Sequence, residues 1–202
     1  DSTERKDIPP FGHLVDYLTF GGIYRDVHLT CVDPTFIENI FIRTEHVLDN
    51  PKLECVIRLN RVVPQLKLAA VMLDHFGNEL AVTYGTVEKE TTTLKFDSLP
   101  EIDLWTLDNP VLYSIKMTLL LDGTAIDANS SRFGFREANF RPDGGFYLNG
   151  QRVKLFGLDR HQTYPYIGAA APPRLQRQDA DILKYELACN VVRTSHYPQS
   201  PH

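Results

Sequence analysis

The chain has 202 residues, of which 43% are hydrophobic and 23% charged, and its formal net charge is -5. That length allows one large domain or two small ones, and the composition is that of an ordinary soluble globular protein. The acidic balance argues against a nucleic-acid partner, and no apolar run is long enough to span a membrane. No leader-like segment opens the chain, but it begins at Asp1 rather than Met, which points to a cut fragment of a longer protein. Cys31, Cys55 and Cys189 are odd in number and irregularly spaced. They read as small buried hydrophobes in a reducing, cytoplasmic compartment, not as a disulfide frame or a zinc site.

Asp1 to His13 is polar and then proline-rich, with no helical period, and reads as a surface loop. Tyr17 to Val32 is aromatic and β-branched. Within it Ile23, Arg25, Val27 and Leu29 alternate with Tyr24, Asp26, His28 and Thr30, which predicts a strand. A strand cannot fold alone, so its neighbours are expected elsewhere.

Asp33-Pro34 marks a boundary. Seven strand-like runs follow: Phe36–Glu45, Lys52–Asn60, Lys67–Asp74, Glu79–Thr86, Thr91–Phe96, Leu112–Leu121 and Thr124–Phe135. Turn residues separate them, Asp49-Asn50-Pro51, Asp108-Asn109-Pro110 and Asp122-Gly123 among others. Seven strands in about a hundred residues without a helical period predict an immunoglobulin-like β-sandwich. Trp105 reads as a plug at one end of it. His13, His28, His46 and His75 read as exposed or turn residues.

Arg141-Pro142-Asp143-Gly144-Gly145 is the next linker, and Asn149-Gly150 predicts a tight hairpin. The apolar run Arg152 to Leu158 reads as a buried strand and ends in the polar cluster Asp159, Arg160, His161, Gln162. Arg174 to Leu187 reads as a helix with Leu175, Ile182, Leu183 and Leu187 on one face. Asp179, Asp181 and Glu186 read as its solvated side. A strand over Ala188 to Arg193 then ends in Thr194, Ser195, His196, Tyr197. This is a βαβ unit with parallel strands. Both polar clusters then sit at carboxyl strand ends on one rim, where α/β folds bind ligands. Two arginines and two histidines converging there suit a polyhydroxylated or anionic ligand. One βαβ unit cannot cover a parallel sheet, so the last domain is expected to continue beyond residue 202.

Several motifs fall in one order: Gly21-Gly22-Ile23-Tyr24-Arg25-Asp26-Val27, Leu104-Trp105 to Pro110-Val111-Leu112-Tyr113, Phe133-Gly134-Phe135-Arg136-Glu137, Leu148-Asn149-Gly150, Asp159-Arg160-His161-Gln162 and Arg193-Thr194-Ser195-His196-Tyr197-Pro198. Together they resemble glycoside hydrolase family 2, and its β-galactosidases in particular. The resemblance implies that residues 1–32 are the tail of a jelly-roll sugar-binding domain. Residues 33–140 would be the immunoglobulin-like sandwich, and 141–202 the truncated βαβ start of a (β/α)8 catalytic barrel, giving a mainly β chain.

The resemblance further implies retaining hydrolysis of terminal β-D-galactosides by two glutamates on later barrel strands. This chain lacks them, so it is expected to be inactive alone. His161 and His196 match the family's sugar-binding, transition-state-stabilising histidines. Arg160 and Arg193 match basic positions that line the site and orient carboxylates. Asp159 stands where the family often has Asn, and is expected to pair with Arg160 and bear on sugar preference. No metal or other cofactor is expected within this chain, although the resemblance allows magnesium and sodium in the parent protein. The expected partners are a carbohydrate substrate and the rest of the parent chain, with self-association of the fragment through its open apolar end. The rival reading is a non-catalytic immunoglobulin-like module that binds a carbohydrate or another domain.

Overall fold

Alternation of inward apolar and outward polar residues builds most of the chain. The computed structural model describes residues 22–142 and 144–202. The expected loop over Asp1 to His13 and the residues 17–21 and 143 lie outside that range. The chain divides into a unit Thr30–Lys154 and a second unit, Leu155–His202 together with the stretch ending at Leu29.

The first unit holds seven antiparallel strands: β1 (Ile37–Glu45), β2 (Lys52–Leu59), β3 (Leu66–Leu73), β4 (Glu79–Thr86), β5 (Thr91–Lys95), β6 (Tyr113–Leu121) and β7 (Thr124–Phe133). Each lies within two residues of its expected run. They form two sheets, β1-β2-β5 and β4-β3-β6-β7, in an immunoglobulin-like sandwich. The core is supplied by every second residue: Leu53, Cys55, Ile57 and Leu59 from β2, Leu68, Ala70 and Met72 from β3, Ile115, Met117 and Leu119 from β6. The Asp122-Gly123 turn has φ of 51° and 81° at its two residues, the left-handed pair that a two-residue hairpin requires.

Cys55 sits in this core, and burial pushes its thiol up to about 12. A thiol held protonated by the fold stabilises the native state while pH stays below the unfolded value near 9.0. That contribution is lost as pH rises from there toward about 12, because the unfolded chain releases the proton first. The urea midpoint of the chain is therefore expected to fall above pH 9, and Cys55→Val to flatten the fall. An identical slope in the variant would remove Cys55 as its source. Of the other cysteines, Cys189 is half-buried and Cys31 is exposed, so the expectation of three buried thiols holds for Cys55 alone. Cys31 lies in a stretch without strand pairing, which offers it no core to enter.

A small sheet ends the first unit: β8 (Ala138–Phe140), β9 (Phe146–Leu148) and β10 (Gln151–Val153), ordered β10-β9-β8. Asn149 and Gly150 turn β9 into β10 with φ of 50° and 76°. Asn149 also joins this sheet to the sandwich. Its Nδ2 donates to the Trp105 carbonyl at 3.0 Å, and its Oδ1 accepts the Glu137 amide at 2.9 Å. Trp105 is half-buried, packs over Gly134, carries the Arg136 guanidinium 4.8 Å from its ring centre, and donates its amide to the Phe135 carbonyl.

The second unit contains β11 (Gly157–Arg160), α1 (Pro173–Asp181), a π-helical turn (Ile182–Glu186) and β12 (Val191–Thr194). β11 and β12 are parallel and adjacent, as expected of a βαβ unit. Three details differ from expectation. The run Arg152 to Leu158 is not one buried strand: its start pairs with β9 and its end with β12, two different sheets, and Lys154 to Phe156 between them belong to no strand and are exposed. The helix is not regular to Leu187. The Leu187 amide donates to the Ile182 carbonyl five residues back, and the wider turn carries Leu187 off the apolar face into solvent. Ile23 to Thr30 is not a strand. Among the described residues no strand pairs with it, so alternation has no sheet to face, and Ile23 and Leu29 are 84% and 95% exposed. No helix among the described residues is long and apolar enough to cross a membrane.

Candidate functional site

The carboxyl ends of β11 and β12 bring the two histidines together. The strands run in register, Asp159 opposite Arg193 and Arg160 opposite Thr194. This close pairing needs a glycine at position 157, because a Cβ there would lie 1.9 Å from the Val191 carbonyl oxygen. Just past the strands, the His161 and His196 rings stand edge to face with centroids 5.4 Å apart, and Tyr197 lies 6.0 Å from His161. The Ser195–His196 peptide bond is cis. Both imidazoles are exposed on the rim.

Beneath them the backbone is tied down. The Gln162 amide donates to the Tyr197 hydroxyl at 2.8 Å, and the Ser200 amide to Gln162 Oε1 at 2.9 Å. Gln162 and Ser195 are both buried, and Gln162 Nε2 and Ser195 Oγ have no partner here. Arg25 donates to the Pro198 and Gln199 carbonyls, and Asp26 meets the His202 ring at 3.1 Å. These contacts attach the motif around Arg25 to the loop that follows His196. His28, His46 and His75 are exposed, as expected of residues outside any site, and His13 lies outside the described range.

The charged residues pair differently from expectation. Asp159 does not reach Arg160. It binds Arg193 Nη1 at 2.9 Å, with more than half of both side chains exposed. Arg160 turns to α1, where Asp179 Oδ2 accepts from its Nε at 2.9 Å and from its Nη2 at 2.7 Å, and Gln176 Oε1 accepts from Nη2 at 2.6 Å. Successive residues of a strand project to opposite faces. Asp159 therefore meets its cross-strand neighbour, and Arg160 meets the helix. The Arg160 guanidinium is thus engaged by α1, and Asp179 is a half-buried partner, not a solvated one. Gln176 was not singled out in the sequence, and Asp179 was read only as part of a solvated face. Their signal is the spacing of three on α1, which places both on one face. Burial first, and the Asp179 carboxylate second, raise the Tyr164 phenol above its ordinary range; its hydroxyl donates to the Leu175 carbonyl.

Two neighbouring imidazoles above a fixed floor are able to donate to and accept from adjacent hydroxyls of one ligand. Asp159 at the strand end and Asp179 on α1 each hold a guanidinium. No three His, Cys, Asp or Glu side chains converge among the described residues.

The chain matches the family model described as "Glycosyl hydrolases family 2" over residues 35–136 and that family's "TIM barrel domain" over residues 142–202. It is 48% identical over 210 residues to a beta-galactosidase of Thermoanaerobacterium thermosulfurigenes, covering 100% of this chain and 29% of that protein. It is 40% identical to a beta-galactosidase of Thermoanaerobacter pseudethanolicus, covering 99% and 27%. The structure is similar to the Bacteroides uniformis beta-glucuronidase, with a TM-score of 0.84 and 30% identity over 98% of this chain and 25% of that one. The chain spans less than a third of the length of each of these proteins. A sandwich and a βαβ unit in this order, matched end to end by the two models, place the chain in glycosyl hydrolases family 2.

Proposed function

We propose that this chain belongs to a retaining β-galactosidase acting on terminal β-D-galactosides, and that His161 and His196 bind the sugar in it. The observation that carries this reading is the histidine pair, 5.4 Å apart at two parallel strand ends. In this reading each imidazole holds a sugar hydroxyl, and those hydrogen bonds strengthen as the ring flattens toward the oxocarbenium-like transition state. The acid and nucleophile come from residues outside this chain. The names of the relatives at 48% and 40% identity support the galactoside over other sugars.

The test is made on the full-length protein with matched chromogenic β-galactoside and β-glucuronide. Turnover of the galactoside is expected. His161→Ala and His196→Ala are each expected to lower kcat by about 10²-fold, the scale of one lost stabilising donor, with little change in melting temperature. Intact kcat with a lowered melting temperature would make both histidines structural. Turnover of neither substrate would favour the binding-module reading.

A further inference from the structure

Arg160 is the last residue of β11 and immediately precedes His161. Its guanidinium is held against α1 by three hydrogen bonds, two to one oxygen of Asp179 and one to Gln176. Gln176 is also anchored from behind, its Nε2 donating to the Ala171 carbonyl at 3.2 Å. The Arg160 carbonyl in turn accepts the amide of Ser195, the residue before His196, at 3.4 Å. One residue thus connects the helix, through its side chain, to the backbone that carries each histidine, through its own carbonyl.

The composition of this contact argues that it sets geometry. Gln176 is the one buried residue of α1, at a position where an apolar side chain would bury area without needing partners. The Arg160–Asp179 pair is well shielded, with side-chain exposures of 16% and 24%. A polar pair shielded to this degree is weak evidence of stabilisation, so stability alone does not explain the arrangement. A guanidinium fixed through Nε and Nη2 is constrained in its plane as well as its position, which a lysine ammonium cannot reproduce.

We propose that Asp179 and Gln176 are positioning residues that hold His161 opposite His196 by clamping Arg160 against α1. The inference rests on the reading of His161 as a sugar-binding group. A reacting group displaced by about 1 Å loses on the order of 10²-fold in rate, so a loosened clamp acts on kcat more than on binding.

The experiment is a double-mutant cycle on the full-length protein with a chromogenic β-galactoside. Asp179→Asn keeps the shape and removes the charge. It is expected to lower kcat by about tenfold or more while KM stays within about twofold. In a His161→Ala background the same substitution is expected to lower kcat no further, since the group it positions is gone, while its effect on melting temperature is the same in both backgrounds. If Asp179→Asn leaves kcat intact, or costs as much in the His161→Ala background as in the parent, the clamp is merely structural and the inference fails. If His161→Ala alone leaves kcat intact, the reading of His161 fails and takes the inference with it. Should Asp179→Asn not accumulate as folded protein, Gln176→Met, which removes one acceptor and keeps a side chain of similar volume, is read in the same cycle.

Discussion

Gly157→Ala is expected to separate β11 from β12. A Cβ at this position would lie 1.9 Å from the Val191 carbonyl oxygen, 2.7 Å from the carbonyl carbon and 2.8 Å from Val191 Cγ1. Two of these three contacts are backbone, so no rotamer change relieves them. Relief requires moving one strand away from the other, and the ladder from Gly157–Val191 to Arg160–Thr194 is the pairing that aligns the two histidines. The cost should exceed the about 1–3 kcal/mol of ordinary overpacking. Amide exchange reads the outcome: the amides of β11 and β12 lose their protection while those of β3 and β6 keep theirs. Val191→Ala supplies the control. It removes the Cγ1 contact and leaves the carbonyl, so in combination with Gly157→Ala it restores nothing. Retained protection in Gly157→Ala would mean that the strands have room the structure does not show.

Phe135→Ala is expected to cost the sandwich about 3–5 kcal/mol, the scale for emptying a buried aromatic site. Phe135 is fully buried, with ring centroids 5.3 Å from Tyr113 and 5.2 Å from Phe133, both edge to face. Those pairs add attraction beyond the area buried. The cavity cannot be filled easily, because Phe133 and Tyr113 are register partners on β7 and β6, and the Tyr113 hydroxyl is held by the Asp103 amide at 2.8 Å. Denaturant unfolding of the chain measures the loss. Phe135→Leu should recover about half, since it refills most of the volume without the aromatic contacts. A loss below about 1 kcal/mol for the alanine variant would show that the neighbours collapse into the space.

Turn chemistry and alternation made the sandwich legible. Asp122-Gly123 and Asn149-Gly150 demand left-handed residues, and each hairpin forms where those residues stand. Between turns, inward residues such as Leu68, Ala70 and Met72 leave only one register that buries them. The same signal misled at Ile23 to Thr30, because alternation marks a surface that fits a sheet and says nothing of whether a neighbouring strand exists. In the site, the histidines were legible from the rule that parallel strands gather their carboxyl-terminal residues on one rim. The partner of Arg160 was not. Asp159 is its neighbour in sequence, and so lies on the opposite face, whereas Asp179 is nineteen positions away and arrives only when α1 packs back on the strand. The π-helical turn at Ile182 was not legible either, because its apolar spacing matches an ordinary helix until Leu187.

The hydrogen bonds from Arg25 to the Pro198 and Gln199 carbonyls join positions separated by 173 and 174 residues. The whole sandwich is inserted in the chain between them. Its own strand pairings are made within Thr30–Lys154, so it is able to form as soon as that stretch leaves the ribosome. The Arg25 contacts, in contrast, wait for Pro198 and Gln199 to be synthesised. Contacts of such long sequence separation carry the largest loop-closure cost and are the slow ones in folding. The loop after His196 is therefore expected to be secured later than the sandwich, and the ligand-facing rim to mature after the sandwich is complete.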